Sequence, residues 1–245
     1  MKTRDNLARG VRVAHRFPLR ASPQSDPSAY LLSPASLLTR HADEFHRLRR
    51  LITQRLGASG VILVVSARHG EGRSIAALSL SLAFAQQFAR VLYTEADFRR
   101  PALAAFFDIP AGAGAADLLW GRLPLSELDT CLLATDAPGL FLLPAGARAD
   151  PSDPPELLDA PLLSAFIERL RSAGDWVILD SPPLLSYDDA LPLPGLVDGV
   201  VIVSLEGRTR SEDLAALSAR LARARARVVD RGADPRRRAA ALAGC

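Results

Sequence analysis

The sequence is poor in the residues that build metal cages and disulfide frameworks. Its two cysteines, Cys131 and Cys245, lie far apart and give neither a metal-ligand spacing nor a disulfide pattern. No apolar run approaches the length of a membrane-spanning helix, and no apolar segment follows the first residues as it does in a signal peptide. We therefore expect a protein of the reducing cytoplasm, with Cys131 packed in its core.

Lysine and tyrosine are also scarce. Lys2 is the only lysine among thirty basic residues, so every other cation is an arginine. The three tyrosines are Tyr30, Tyr93 and Tyr187, and aromatic residues make up 6% of the chain. Neither end has the mixture of basic and aromatic residues that lines grooves for single-stranded nucleic acid. We expect no nucleic-acid partner.

Charge is spread unevenly along the chain. Residues 1–50 carry ten basic and four acidic residues, and residues 207–245 carry the same numbers. Residues 51–206 have ten basic and nineteen acidic residues. Basic ends around an acidic middle indicate contact with an acidic surface, such as anionic lipid or a neighbouring subunit. Solvated arginine-rich tails are the alternative.

Short apolar runs alternate with helical patterns along most of the 245 residues. The predicted strands are Val61–Val65, Val91–Thr94, Leu140–Leu143, Val177–Leu179 and Val200–Val203. The predicted helices cover residues 36–56, 155–172, 185–196 and 209–228. A further helix is predicted from the turn after Val65 to about Phe88. No strand is indicated within residues 225–234. The alternation predicts an α/β fold with a mostly parallel sheet flanked by helices.

Composition also suggests how the chain is divided. Residues 17–35 are rich in proline and serine and are typical of a linker. We expect a flexible Pro/Ser-rich arm over residues 1–35, one domain over 36–230 and an arginine-rich tail over 231–245. A content of 49% hydrophobic residues is enough for one sizeable core.

A glycine-rich turn follows the first predicted strand. It reads SARHGEGRS over residues 66–74 and opens a helix. Gly70 and Gly72 allow successive main-chain N–H groups to turn toward an anion, and the helix N-terminus adds its dipole. Ser74 is placed to ligate Mg²⁺, whereas Arg73 stands where a phosphate-binding loop needs lysine. The turn predicts a phosphate site, with an ordinary strand-to-helix connection as the alternative. We expect His69 to be exposed.

Two further motifs place carboxylates after predicted strands. They read VLYTEADFRRP over residues 91–101 and VILDSPP over residues 177–183. The carboxyl ends of parallel strands form the edge at which such sheets bind ligands, so these carboxylates are expected beside the glycine-rich turn. There they can hold Mg²⁺ directly or through water. The alternative for any one of them is a cap on the following helix.

These three motifs, in this order, resemble the bacterial tyrosine-kinase family of capsule and exopolysaccharide synthesis. That family pairs a loop of the form S-A-x-P-G-E-G-K-S with apolar-D-x-D-x-R-R-P and apolar-D-[ST]-P-P. The similarity extends to the pattern E-x-x-R-x-x-R at Glu44, Arg47 and Arg50, and to residues 143–146 and 197–200. It covers roughly residues 40–215 of the sequence.

The resemblance implies a P-loop NTPase-like fold with ATP and Mg²⁺ as cofactors, and it assigns residues to three sets. The expected ATP-binding residues are Gly70, Glu71, Gly72, Arg73, Ser74 and Ile75. The expected metal-binding residues are Ser74, Asp97 and Asp180. The expected catalytic residues are Arg73, Glu95, Asp97 and Asp180.

The resemblance also implies partners. We expect self-association through Glu44, Arg47 and Arg50, together with a membrane-bound polysaccharide co-polymerase, or chain-length regulator, as a separate activating partner. The expected location is the cytoplasm, peripherally at the inner face of the plasma membrane.

The sequence departs from the family pattern at several points. Arg73 replaces the loop lysine, Glu95 replaces the first aspartate of the second motif, and a carboxyl-terminal tyrosine cluster is absent. The leading hypothesis is an ATP-binding, tyrosine-kinase-like regulator of exopolysaccharide or capsule synthesis with weakened catalysis. The alternatives are a non-catalytic, nucleotide-binding regulator of the export machinery, and a partitioning or cell-division ATPase. The last class carries an additional loop lysine, and this chain has no lysine beyond Lys2.

Overall fold

The computed structural model describes residues 34–88, 90–103, 107, 109, 112–146, 160–188, 190–224 and 228–230. The expected tail over residues 231–245 and all but the last two residues of the expected arm lie outside these ranges. The described helix α1 begins at Pro34, within the stretch assigned to the arm.

Seven strands of the described residues form one sheet. In chain order they are β1 (Gly60–Ser66), β2 (Val91–Glu95), β3 (Leu133–Ala134), β4 (Leu140–Leu143), β5 (Trp176–Asp180), β6 (Gly199–Val203) and β7 (Val228–Asp230). The sheet order is β3-β4-β2-β5-β1-β6-β7. The β3–β4 pair is antiparallel and all other neighbours are parallel. The predicted fold class is confirmed.

Six α-helices lie among the described residues. They are α1 (Pro34–Leu56), α2 (Arg73–Ala85), α3 (Ala115–Leu119), α4 (Leu128–Cys131), α5 (Ala160–Ala173) and α6 (Ser211–Arg223). Four of them, α1, α2, α5 and α6, correspond to predicted helices. None of the described helices is long and apolar enough to cross a membrane.

The helix predicted over residues 185–196 is wrong. The described part of this segment consists of turns and a short 3-10 helix, Leu193–Gly195. Pro192 and Pro194 explain the difference. Proline has no N–H to donate within a helix, and it disfavours the helical conformation of the residue before it.

The sequence indicates no strand within residues 225–234, yet β7 lies there. It pairs in parallel with β6, and its register shifts between Val200 and Val201. A strand of three residues at the edge of the sheet is too short to leave a recognisable period of two between the arginines that surround it.

The core lies on both faces of the sheet. Along β1, Val61, Leu63 and Val65 contribute to one apolar cluster, while Ile62 and Val64 contribute to the other. Successive strand residues point to opposite faces, so a strand that is apolar throughout must be covered on both sides. Helices α1 and α2 cover one face, and α3, α4, α5 and α6 cover the other. Cys131 is 3% exposed, as expected.

Candidate nucleotide-binding site

Three neighbouring strands, β2, β5 and β1, end at the same edge of the sheet. Glu95 at the end of β2 lies in register with Asp180 at the end of β5, and Asp180 in turn lies in register with Val64 of β1. Each of the three sequence motifs contains the carboxyl end of one of these strands. The structure therefore brings the glycine-rich turn, Asp97 and Asp180 together, as parallel pairing predicts.

The glycine-rich turn, residues 66–74, has the geometry of an anion-binding loop. Gly70 and Gly72 adopt φ angles of 76° and 78°, a left-handed conformation that glycine adopts without steric cost. Gly72 caps α2, and no side chain caps the first turn of that helix. The first N–H groups of a helix have no intrahelical acceptor and attract anions. Ser74 and Ile75, both half-buried, lie in this first turn.

The carboxylate of Glu71 holds the glycine-rich turn in place through two hydrogen bonds. Its side chain is 4% exposed, and its Oε2 accepts a hydrogen bond from the main-chain N–H of Arg68 at 3.0 Å. Its Oε1 accepts one from the hydroxyl of Thr209 at 2.7 Å. The Glu71 carboxylate thus ties the loop to the chain after β6, and only its main chain remains for a phosphate.

Arg73 lies in a buried ion-pair network rather than along the loop. Its Nε donates to Asp180 Oδ1 at 2.7 Å, and its Nη2 donates to Asp97 Oδ2 at 2.8 Å. The three side chains are 8%, 1% and 2% exposed, respectively. Removing one partner from such a buried pair typically costs about 3–5 kcal/mol, so the guanidinium is firmly held.

The second oxygen of each aspartate is also hydrogen-bonded. Asp180 Oδ2 accepts the hydroxyl of Tyr93 at 2.8 Å, and Asp97 Oδ1 accepts the main-chain N–H of Arg100 at 3.1 Å. All four carboxylate oxygens predicted to serve a metal therefore have protein donors.

Electrostatics reinforce this network. Burial works against the charge on Arg73, but Asp180 and Asp97 outweigh it, so the pKa of the guanidinium lies above its usual value. Burial, followed by the negative charges of Asp180 and Glu95, raises the pKa of Tyr93 well above its usual value. Tyr93 is therefore a hydrogen-bond donor at any physiological pH.

Glu95 turns away from the aspartates and toward main-chain donors. Its Oε1 accepts the N–H groups of Ala102 and Leu103, the latter at 2.7 Å, and its Oε2 accepts the N–H of Ala145 at 3.0 Å. Burial raises the pKa of Glu95 to about 7, although these three hydrogen bonds act in the opposite direction. In this geometry Glu95 joins the segment after β2 to the segment after β4.

Aromatic and basic side chains line the rim of the loop. His69 is half-buried, which corrects the expectation that it is exposed, and its Nε2 lies 3.2 Å from the hydroxyl of Tyr187. The guanidinium of Arg99 lies 4.4 Å from the centre of the Tyr187 ring. A Cβ atom on Gly70 would lie 3.2–3.3 Å from the exposed guanidinium of Arg208.

Sequence reasoning misses four contributors to the site, namely Tyr93, the N–H of Arg100, Arg208 and Thr209. A tyrosine within a buried strand needs a hydrogen-bond partner for its hydroxyl. The position of Tyr93 in a predicted strand therefore indicates a polar partner nearby. Arg208 and Thr209 follow β6, whose carboxyl end belongs to the same binding edge.

The residues present fit ATP phosphates better than they fit a divalent cation. The loop offers unsatisfied N–H groups and a nearby arginine. A cation at Asp97 and Asp180 would have to displace Arg73 from both carboxylates. In the part of the chain that the structure describes, no three acidic, histidine or cysteine side chains converge as a metal cage. The assignment of Ser74, Asp97 and Asp180 as metal ligands stays a prediction.

Sequence comparison finds bacterial tyrosine kinases. The chain is 32% identical over 168 residues to the tyrosine-protein kinase YwqD of Bacillus subtilis, covering 69% of each chain. It is 29% identical over 151 residues to the tyrosine-protein kinase CpsD of Streptococcus agalactiae, covering 61% of this chain and 64% of CpsD. It is 31% identical over 173 residues to the succinoglycan biosynthesis transport protein ExoP of Rhizobium meliloti, but covers only 22% of that protein. No protein-family model matches the chain.

Structural comparison gives the same grouping. The kinase domain of VpsO superposes with a TM-score of 0.68 at 26% identity, covering 83% of this chain and 96% of that domain. The kinase domain of the Escherichia coli tyrosine kinase ETK gives 0.70 at 18% identity, covering 94% and 92%. The cell-division ATPase MinD of Pyrococcus furiosus gives 0.56 at 22% identity, covering 69% and 68%. The last two likenesses, both under 25% identical, concern the fold alone.

Proposed function

Because the chain belongs to the family of bacterial tyrosine-protein kinases, we propose that it binds ATP at residues 66–74 and regulates exopolysaccharide or capsule synthesis as a kinase-like protein. One observation carries the proposal: the uncapped first turn of α2 follows a left-handed Gly70 and Gly72 at the edge where Asp97 and Asp180 lie. Main-chain N–H groups and the helix dipole would bind the phosphates.

Phosphoryl transfer at this site is expected to be weak. Catalysis of this reaction depends on positioning and on neutralising the charge of the transferred group. Arg73 is held by two carboxylates rather than free to follow the phosphates, and Glu95 is held by main-chain donors. Ser74, Asp97 and Asp180 would serve Mg²⁺ only in a state in which Arg73 had left both aspartates.

We propose a membrane-bound polysaccharide co-polymerase as the partner. The chain matches 22% of the transport protein ExoP, so it corresponds to one part of that larger protein. The remainder of ExoP, which is named as a transport protein, indicates the kind of partner expected here. The basic residues at both ends favour a peripheral location at the inner, anionic face of the plasma membrane.

Two other functions are less well supported. A partitioning or cell-division ATPase is disfavoured because relatives found by sequence, among them YwqD at 32% identity, are tyrosine-protein kinases. A regulator that binds nucleotide without any transfer is favoured by one specific observation, the pairing of Arg73 with Asp97 and Asp180. It shares the ATP-binding step with the main proposal.

Calorimetric titration of the full chain with ATP tests this proposal, using Gly72→Glu as the disabled variant. Gly72 has φ 78°, and no atom lies within 4 Å of a Cβ placed there, so the new side chain would add a negative charge to the loop, with only the backbone strain that any side chain has at this φ. Gly121→Glu is the matched control, because Gly121 has φ 69°, equally open surroundings and a position outside the loop.

We expect ATP binding to the wild type and the control, and a loss of at least about tenfold in affinity in Gly72→Glu, which corresponds to about 1.4 kcal/mol. Equal affinities in all three proteins would refute binding at this loop. An absence of ATP binding to the wild type would refute the function.

A further inference from the structure

We propose that the guanidinium of Arg73 occupies the position that a divalent cation would need, so that this site binds nucleotide phosphates without a metal ion. The inference rests on the proposed function, since it specifies how the same loop binds ATP. It concerns a property of this chain's own residues, namely the way in which Arg73, Tyr93 and a main-chain N–H share two aspartates.

The first support is the saturation of the carboxylates. Arg73 bonds one oxygen of Asp180 and one of Asp97, at 2.7 and 2.8 Å. Tyr93 and the N–H of Arg100 bond the remaining two oxygens, at 2.8 and 3.1 Å. Mg²⁺ requires near-octahedral oxygen ligands at short distances and gives up its water reluctantly. It would have to replace a buried, doubly bonded guanidinium to obtain them.

The second support is charge. Arg73 is 8% exposed and stands between two aspartates that are almost fully buried. If a metal ion displaced it, the guanidinium would be left in the protein interior without its partners. An unpaired buried charge is strongly unfavourable, so the loss of its ion pairs opposes the displacement of Arg73. The cost of removing water from the metal ion opposes it as well.

The third support is an alternative source of positive charge for the phosphates. The exposed guanidinium of Arg208 lies against Gly70 of the loop. Within the described residues, no ion pair involves Arg208, in contrast to Arg68, which pairs with Asp213 at 2.7 Å. Arg208 and the N–H groups of the loop can therefore neutralise phosphate oxygens, a task that a metal ion performs in most nucleotide sites.

Calorimetry of the full chain with ATP, in EDTA and in excess Mg²⁺, gives the primary test. We expect the two dissociation constants to agree within about threefold. The double variant Arg73→Lys, Tyr93→Phe should instead bind ATP at least about tenfold more tightly with Mg²⁺ than with EDTA, because a lysine makes one point contact and Asp180 regains a free oxygen. Arg169→Lys, in a remote pair with Asp129, is the matched control and should behave as the wild type.

The two proposals fail differently in this experiment. If the wild type binds ATP in Mg²⁺ but at least about tenfold more weakly in EDTA, metal-independent binding is overturned and the proposed function stands. If it binds ATP in neither buffer, the proposed function is overturned, and this inference with it.

Electron paramagnetic resonance of Mn²⁺ added to the nucleotide-free protein gives a second, independent readout. The wild type and Arg169→Lys should show no site-bound Mn²⁺, whereas Arg73→Gln, which leaves two aspartates without their cation, should acquire a site. The double variant keeps a positive charge at residue 73, so it serves if Arg73→Gln fails to fold, and it too should bind more Mn²⁺ than the wild type. Equal Mn²⁺ binding by the wild type and a folded variant would overturn the proposal.

Discussion

At Glu95, burial and hydrogen bonding act on one carboxyl group in opposite directions. The side chain is 1% exposed, which favours the neutral acid, while three main-chain N–H groups favour the carboxylate. Burial prevails and raises the pKa from 4.5 to about 7. The folded protein then binds a proton at this position at pH values where the unfolded chain has lost it.

Folding stability should therefore fall as the pH rises through this range. The contribution of Glu95 is fully present below pH 4.5 and is lost as the pH approaches the folded pKa of about 7. The loss amounts to at most about 3–4 kcal/mol, since the pKa rises from 4.5 to about 7 and one pKa unit corresponds to about 1.4 kcal/mol. Urea unfolding of the wild type and Glu95→Gln at several pH values measures this loss. The readout is the slope of the free energy of unfolding against pH.

We expect the wild type to lose more stability than Glu95→Gln between about pH 5 and pH 7.5, because glutamine does not titrate. Parallel slopes in the two proteins would mean that the main-chain donors prevail and that Glu95 stays ionised throughout.

The sequence predicts which residues reach the site better than it predicts where their side chains point. Asp97 and Asp180 lie where their motifs imply, because strand ends and parallel pairing determine the position of the main chain. Glu71 and Glu95 lie at the right positions as well, but both turn into the protein toward donors from distant segments. Such donors, Thr209 and the N–H of Ala145, have no signature near either glutamate in the sequence.

At the scale of elements, the loop is tied to the chain that follows β6. The hydroxyl of Thr209 donates to Glu71 at 2.7 Å and accepts the N–H of Leu205 at 2.9 Å. Arg68 of the loop makes two hydrogen bonds to Asp213 of α6, at 2.9 and 2.7 Å. Loop, strand end and helix should therefore move as one unit.

Thr209→Val should loosen this unit. The substitution keeps the shape of the side chain but leaves a Glu71 oxygen and the N–H of Leu205 unpaired, which costs about 1–3 kcal/mol. We expect a lower urea midpoint and a weaker affinity for ATP in calorimetry. Thr130→Val is the matched control, since Thr130 is exposed and its hydroxyl contacts only neighbours in the chain: it donates to the carbonyl of Glu127 at 2.7 Å and lies 4.0 Å from the Sγ of Cys131. If the two variants have the same midpoint, the Thr209 link does not stabilise the loop.

Apolar strands inside the sheet are the most predictable elements, and short edge strands are the least predictable. Apolar runs such as Val61–Val65 and Leu140–Leu143 coincide closely with β1 and β4, since a strand covered on both faces is apolar throughout. The two-residue β3 and the three-residue β7 lie outside the central part of the sheet, where pairing with a neighbour rather than local sequence determines the conformation.

At the scale of the whole molecule, α1 presents a charged surface to solvent. Phe45 and Ile52 are buried in the apolar cluster that α1 shares with α2, while Glu44, Arg47 and Arg50 are exposed. Glu44 and Arg47 form an ion pair at 3.9 Å with side chains 54% and 68% exposed, so the pair contributes little stability within one chain. These charges are therefore free to meet a complementary patch on a second copy.

We predict head-to-tail self-association through this surface. Such an interface joins two different patches and produces rings or chains of subunits. Sedimentation velocity over a range of concentrations should show oligomers of the wild type and a monomer of the variant Arg47→Glu, Arg50→Glu. The control Arg210→Glu, Arg223→Glu reverses two exposed charges near α6, on the opposite face of the sheet, and should associate normally. A monomeric wild type at all concentrations would contradict the prediction.

Phosphoryl transfer by the purified chain should be weak, because the groups that would assist it are held by one another. The reaction needs a carboxylate free to orient the incoming hydroxyl and positive charge on the transferred group. Here Asp97 and Asp180 are bonded to Arg73, and the positive charge is held between them. We therefore expect little or no autophosphorylation when the purified chain is incubated with Mg-ATP.

The position of any trace label is also predictable. Tyr93 is 1% exposed and donates to Asp180, so it cannot reach a phosphate as an acceptor. Tyr187 is half-buried at the rim, and Tyr30 lies outside the described residues in the proline- and serine-rich segment, so these two are the expected sites. Phosphotyrosine mass spectrometry, with Asp97→Asn as the blank, decides the matter. Strong labelling that disappears in Asp97→Asn would show that the guanidinium leaves the aspartates during turnover, because only then could Asp97 act on a tyrosine hydroxyl.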